Sequence, residues 1–166
     1  MYYRDKNNIA VGVLNDFDLS STKQSRQGNE RTGTIPFMAV KLLAQTSIAG
    51  HCEHLYQHDA ESFVWVLTWI SLAYDNGERC FANGNLEVLF SLPAIQCGKD
   101  KSSFLLTGRH EVAYRPSQQE NWTLAKRCLG SIAVHMSDDS SSDVLGDDYV
   151  YREWLCKHVE THLGIR

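Results

Sequence analysis

The sequence lacks the features that would place it in several large classes of protein. No apolar run approaches the roughly 18 residues of a membrane-spanning helix, so a transmembrane segment is excluded. The formal net charge is −4, which argues against a general nucleic-acid binder because such domains carry basic patches. The N-terminus meets charged residues at once and has no signal-peptide core, so we expect an intracellular protein, cytoplasmic or nuclear.

Paired cysteines and phosphate-binding glycine motifs are also missing. The five cysteines are scattered and form no CxxC pair, so the sequence indicates neither a disulfide framework nor a cysteine-rich zinc site. Neither GxxxxGK[ST] nor GxGxxG occurs, so there is no glycine-rich phosphate loop among the 166 residues. No Ser-His-Asp arrangement can be argued from spacing.

What is present predicts one mostly α domain with a short N-terminal β hairpin. Hydrophobic residues make up 43% of the chain, enough to bury a sizeable core. Tyr2 to Leu14 reads as two strands around the turn-like Asp5 to Asn8. Leu19 to Gly33 is polar and predicts a long exposed loop, and a short helix over Ala39 to Ala44 follows.

The clearest helix signal runs from Asp59 to Tyr74. Ten of the thirteen residues from Ser62 to Tyr74 are apolar, which predicts a helix buried on all faces as the spine of the domain. Asp59 stands where an N-cap or first-turn carboxylate would face the helix N-terminus.

The second half predicts further helices separated by polar loops. Trp122, Ala125, Leu129, Ile132 and Ala133 recur at helical spacing. The predicted helices are 86–92, 118–136 and 148–163, and the predicted loops are 98–103 and 137–143.

The first candidate site is Asp16-Phe17-Asp18, which follows the second strand. A carboxylate at the end of a strand can hold Mg²⁺ against phosphates, and an aromatic behind it fixes the direction of the carboxylate. The alternative is a strand-terminating turn, since Asn and Asp commonly end strands.

Histidines and hydroxyls form two weaker candidates. His54 and His58, near His51 and Cys52, are four residues apart and would share a helix face that could bind zinc. The alternative is a set of surface or capping histidines. The Ser/Thr-rich loop from Ser20 to Thr34 could be phosphorylated near basic residues, or it could be an unmodified loop.

Three segments, in this order, resemble the C-terminal lobe of a protein kinase of the fungal-type protein kinase domain family. They are the DFD segment Val13–Leu19, the GTIPFMA segment Arg31–Ala39 and the HLYQHDAES segment His54–Phe63. The resemblance covers about the first 75 residues well and the helical remainder only loosely.

The resemblance implies a role for each matching residue. It implies that Asp16 chelates Mg²⁺ on the phosphates of ATP and that Phe17 packs beneath it at the cofactor site. Leu19 to Gly33 is similar to an activation loop, and Thr34 to the threonine of its closing stretch. Asp59 is similar to the aspartate that opens the central helix and hydrogen-bonds the catalytic loop.

The resemblance also shows departures. The glycine-rich loop, the sheet lysine and the catalytic-loop Asp and Asn find no counterpart here, so we name no catalytic residue. Lys41 stands where a glutamate usually closes the activation segment and pairs with an arginine late in the lobe. We therefore expect residues 1–166 to be a partial kinase-like domain, the C-lobe only, and inactive as this chain.

Two functional hypotheses remain. In the first, the chain is a C-lobe fragment of a fungal-type Ser/Thr kinase, whose activity is ATP- and Mg²⁺-dependent phosphorylation of a protein substrate. In the second, it is a non-catalytic, pseudokinase-like helical module that binds a protein partner. Neither involves nucleic acid or a membrane, and the sequence does not fix the oligomeric state.

Overall fold

The structure, a computed structural model, describes residues 2–13, 33–48, 55–80, 86–137, 156–162 and 164. The chain divides into two units, Met1–Thr32 and Gly33–Arg166. The predicted loop from Leu19 onward lies outside the described residues until Gly33.

In the first unit the predicted hairpin is confirmed. Strand β1 (Tyr2–Arg4) pairs antiparallel with β2 (Ala10–Gly12). The carboxylate of Asp5 closes the turn, because its Oδ1 accepts hydrogen bonds from the Asn7 amide at 2.8 Å and the Ile9 amide at 2.9 Å. Aspartate favours such turns since its short side chain reaches backbone amides two or more residues ahead.

The second unit is built on two long helices that pack together, α2 (Tyr56–Ala73) and α5 (Gln119–Ser137). Both helices are predicted by the sequence, and their bounds differ from the predicted ones by one to three residues. All five apolar residues that predicted α5 are buried. The core between the helices includes Val64, Trp65, Leu72, Trp122, Leu129 and Ile132.

The prediction that α2 is buried on every face is wrong. Val64 and Trp65 are buried, whereas Phe63 is 59% exposed and Ile70 is 39% exposed. Composition alone cannot separate the two cases, because an all-apolar segment carries no periodicity that marks which face meets solvent.

Short helical turns connect the rest of the unit. They comprise 3-10 turns at Ile35–Phe37, Val40–Leu43, Glu87–Ser91 and Pro116–Gln118, short helices α1 (Gln45–Ile48) and α4 (Arg109–Glu111), and a π-helical turn at Phe104–Gly108. The helices predicted over Ala39 to Ala44 and Leu86 to Leu92 are therefore present as 3-10 turns.

The predicted loop at Gly98 to Ser103 is wrong, because these residues belong to helix α3 (Ala94–Ser103). The buried positions of α3 are Cys97, Gly98 and Lys101. A glycine and a lysine at core positions give no apolar stripe, so the periodicity that normally reveals a helix is missing.

A second hairpin follows α2 directly. Strands β3 (Tyr74–Asp75) and β4 (Glu78–Arg79) pair across Asn76-Gly77, which both have positive φ, of 49° and 84°. Asn-Gly is the preferred pair for such a turn, so the local sequence itself favours this hairpin. Residues 156–162 are helical, in agreement with the part of the predicted last helix that the structure describes.

The described residues are thus mostly helical, with the expected short N-terminal hairpin. None of the described helices is long and apolar enough to cross a membrane.

Candidate functional site

The predicted site residues divide into those the structure describes and those it does not. Asp16 and Phe17, the predicted Mg²⁺ and nucleotide ligands, lie outside the described residues. Thr34 is described, and it is exposed just before the first 3-10 turn. Asp59 is an exposed first-turn residue of α2, so its first-turn assignment is confirmed, while the N-cap position belongs to Leu55.

The candidate site is the segment Gly33–Ala44, which we call the anchored segment. Its two 3-10 turns are joined by Met38, with φ −62° and ψ 147°, and Ala39, with φ −56° and ψ 145°. Pro36 favours the first turn because its ring fixes φ near the helical value. Ala39 is fully buried and Thr34 is exposed, so this segment runs from the surface into the core.

A buried carboxylate on α2 holds the anchored segment by its backbone. Oε1 of Glu61 accepts hydrogen bonds from the Val40 amide at 2.8 Å and from Nε1 of Trp65 at 2.9 Å. Trp65 lies one turn further along the same helix, which places its indole N–H beside the carboxylate. Charge-assisted hydrogen bonds of this kind are about twice as strong as neutral ones.

A buried ammonium on α3 holds the same segment through a backbone carbonyl. Lys101 is 0% exposed, and its Nζ donates a hydrogen bond to the Met38 carbonyl. The same Nζ lies 4.3 Å from the centre of the Trp65 ring, within the range of a cation–π contact. Helix α3 packs against the turn Val40–Leu43, which brings the lysine to this position.

Burial shifts the pKa values of the charged groups toward their neutral forms. Desolvation raises the pKa of Glu61, and the Trp65 hydrogen bond and the positive charge of Lys101 oppose that rise. Desolvation lowers the pKa of Lys101 to about 8, and the charges of Glu61 and Cys97 oppose that fall. Each charge therefore offsets part of the desolvation of the other.

Lys41 is the position at which this sequence differs from the usual family pattern. Lys41 is exposed on the second 3-10 turn, where the resemblance usually has a glutamate. The carboxylate that reaches this stretch of backbone comes from Glu61, twenty residues later and on another element.

Sequence reasoning missed both Glu61 and Lys101. Glu61 stood within the HDAES motif that carried the resemblance, but its side chain was given no role. Lys101 lies within 98–103, which the sequence predicts as a polar loop. An acidic residue among apolar neighbours at the start of a core helix was the one available signal, because a buried charge requires a partner.

Aromatic side chains cover the outer part of the anchored segment. Phe37 meets Trp69 at 5.9 Å and Phe90 at 5.6 Å between ring centroids, both in edge-to-face geometry. Edge-to-face packing is favourable because the positive ring edge meets the negative ring face. Phe90 is 47% exposed, so this cluster lies at the surface.

The predicted histidine cluster is described only at His58. This residue is buried, and its Nδ1 accepts a hydrogen bond from the Leu55 amide at 3.0 Å while its own amide donates to the Leu55 carbonyl. His58 thus caps the start of α2, whereas His51, Cys52 and His54 lie outside the described residues. Within the described ranges, no group of three or more His, Cys, Asp or Glu residues could hold a metal ion.

Comparison with known proteins adds one match. The family model described as fungal protein kinase matches residues 1–71, which include the DFD, GTIPFMA and HLYQHDAES segments. No curated protein and no solved structure matches the chain. The resemblance to the fungal protein kinase family is therefore confirmed, and it holds for the N-terminal part of the chain, residues 1–71.

Proposed function

We propose that this chain forms the helical C-lobe part of a fungal-type Ser/Thr protein kinase and does not by itself transfer phosphate. The observation that carries the proposal is the hydrogen bond between the Glu61 carboxylate and the Val40 amide. It joins the HDAES entry into α2 to the residue that directly follows the GTIPFMA segment, in one buried contact within the stretch that matches the family. Motifs that cohere physically in this way support a shared fold.

In this proposal Asp16 and Phe17 contribute to nucleotide binding. The carboxylate of Asp16 supplies the hard oxygen that Mg²⁺ prefers, and Phe17 packs beside it to limit its rotation. When bound, Mg²⁺ neutralises charge on the phosphates of ATP. The protein substrate would lie along the exposed start of the anchored segment, near Thr34.

Inactivity of the isolated chain follows from what its 166 residues do not supply. Phosphoryl transfer depends almost entirely on positioning and electrostatic stabilisation. A lysine on a sheet, a glycine-rich loop and a catalytic Asp–Asn pair normally do this work, and no motif for them is found in this sequence. One carboxylate should therefore hold the metal–nucleotide complex weakly.

The proposal can be tested with Mn²⁺–ATP as a paramagnetic probe of the purified chain. We expect nuclear magnetic resonance signals near residues 14–18 to broaden at millimolar probe, and Asp16→Asn to reduce that broadening. Asp18→Asn is the matched control, because it removes the same charge two residues away and should leave the broadening in place. Equal broadening in wild type and Asp16→Asn contradicts the ligand role of Asp16.

A phosphotransfer assay on the same samples tests the second half of the proposal. We expect no transfer of labelled phosphate to a generic Ser/Thr protein substrate above the level of a blank. Transfer that Asp16→Asn abolishes contradicts the inactivity of the chain but supports the family activity.

A protein-binding module is the second candidate, and one surface feature favours it. Tyr56, Phe63 and Ile70 are 37%, 59% and 39% exposed, and they are seven residues apart along α2. Residues at this spacing lie on one side of a helix, so they form an apolar stripe of the kind that contacts another protein.

Solution behaviour discriminates the two candidates. A monomeric chain with a cooperative thermal transition supports a self-sufficient module. Concentration-dependent association that Phe63→Ser relieves shows that the stripe binds protein and favours the module. Association that Phe63→Ser leaves unchanged indicates an exposed apolar face elsewhere on the chain, which favours the kinase-lobe proposal.

A further inference from the structure

Two charged side chains from different helices meet the backbone on either side of Ala39. Glu61 accepts from the Val40 amide, and Lys101 donates to the Met38 carbonyl. Ala39 itself is fully buried and has no side-chain polar group. The backbone at this residue is therefore held by the amide on one side and by the carbonyl on the other.

We propose that Glu61 and Lys101 are positioning residues that fix the anchored segment through its backbone, so that its exposed start near Thr34 keeps one geometry for a protein substrate. The role toward a protein substrate rests on the proposed function, whereas the anchoring of the segment rests on the two backbone hydrogen bonds alone. Neither residue would touch the substrate, because both are buried. They act through the backbone at Met38–Val40.

The choice of charged groups argues for positioning rather than for stability. Two buried charged side chains are expensive to desolvate, and well-packed apolar residues of similar volume are often equally stabilising. Charged groups at fixed places do what apolar groups cannot, since they bond to a particular amide and a particular carbonyl. Trp65 completes the arrangement by bonding Glu61 through Nε1 and by presenting its ring to Lys101.

Hydrogen exchange separates this role from a merely structural one. Lys101→Met removes the donor to the Met38 carbonyl and keeps a long unbranched side chain. In this variant we expect the amides of residues 35–43 to exchange at least about tenfold faster than in the wild type, after normalisation to the amides in the buried part of α5. The reason is that local opening of the segment no longer has to break a charge-assisted hydrogen bond. A uniform increase across both regions overturns the proposal.

The double variant Glu61→Gln with Lys101→Met covers the case in which the single variant does not fold. It carries no uncompensated buried charge, so we expect its melting temperature to return toward that of the wild type. Because the Met38 carbonyl still lacks its donor, exchange in residues 35–43 should stay raised. If stability recovers and exchange in this segment equals that of the wild type, the two charges only compensate each other in the core, and the positioning proposal is overturned.

The exchange readout is independent of nucleotide chemistry. If the Mn²⁺–ATP experiment contradicts the role of Asp16 while Lys101→Met loosens residues 35–43 selectively, the proposed kinase function fails and the positioning contact stands. If the exchange change is uniform while Asp16 behaves as proposed, the positioning role fails and the kinase-lobe assignment stands.

Discussion

The ammonium of Lys101 lies 4.3 Å from the centre of the Trp65 ring, and both side chains are almost completely buried. The indole thus serves two charges, because its face meets a cation and its N–H bonds the carboxylate of Glu61 at 2.9 Å. A tryptophan can do this since its ring face is electron-rich while its nitrogen is a donor. One residue therefore links the helices α2 and α3 through their charged groups.

Replacing Trp65 by phenylalanine should destabilise the protein by about 1.5–3 kcal/mol, the usual worth of a hydrogen bond to a charged group. Trp69→Phe on the same helix is the matched control. Nε1 of Trp69 is buried and has no acceptor among the residues the structure describes, so this change removes no hydrogen bond. Urea denaturation of both variants measures the difference, and an equal loss in the two contradicts the assignment.

Two helical glycines should respond to alanine with opposite signs. A Cβ at Gly98 would lie 3.0 Å from the Cβ of Leu43, which is buried and has no room to move, so Gly98→Ala should cost about 1–3 kcal/mol. A Cβ at Gly130 in α5 meets nothing within 4 Å, so Gly130→Ala should stabilise by about 0.5–1 kcal/mol through helix propensity. Thermal melts of the two variants decide this, and stabilisation by Gly98→Ala would show that α3 and the anchored segment do not meet this closely.

The lowered pKa of Lys101 predicts a specific dependence of stability on pH. Its folded-state pKa of about 8 lies below that of an unfolded lysine, near 10.4, so the unfolded chain binds more protons between these values. The contribution of Lys101 to the free energy of unfolding should therefore rise as the pH rises through this window. The gain is at most about 1.4 kcal/mol per pH unit.

Comparison with Lys101→Met isolates this effect from other groups that titrate at alkaline pH. The free energy of unfolding of wild type minus that of the variant should increase from pH 8 to pH 10. Glu61 and, where it ionises, the Cys97 thiolate are the negative neighbours that favour the charged lysine, and burial raises the pKa of Cys97. A difference that stays flat or falls across this range contradicts the buried position of the ammonium.

Cysteine reactivity should follow burial. Desolvation raises the pKa of the Cys128 thiol to about 11 and also raises that of Cys97, whereas Cys156 is exposed. Because the thiolate is the reactive form, iodoacetamide at pH 8 should alkylate Cys156 at least about tenfold faster than Cys128. Mass mapping of the native chain measures the rates, with the urea-unfolded chain as the control in which they converge. Equal native rates would place Cys128 outside the core.

Local pattern predicted some elements well and others not at all. Helix α5 was predicted because Trp122, Leu129 and Ile132 repeat at helical spacing, and this repeat depends only on near neighbours in the sequence. Helix α3 was missed because its inward positions carry Gly98 and Lys101, which are read as loop residues until their surroundings are known. The sequence does not predict the half-exposed face of α2, because an apolar residue such as Phe63 can be either buried in a core or exposed at a surface.

By itself the sequence determined the hairpin at Asp5–Asn8, the long helices α2 and α5 and the motifs that match the fungal protein kinase family over residues 1–71. Each of these depends on residues close together in the chain, where side-chain period and turn chemistry act directly. Only the tertiary structure decided that Glu61 and Lys101, forty residues apart, hold the backbone on the two sides of Ala39. A buried charge is stable only beside a partner, and which residue becomes that partner is set by how the helices pack.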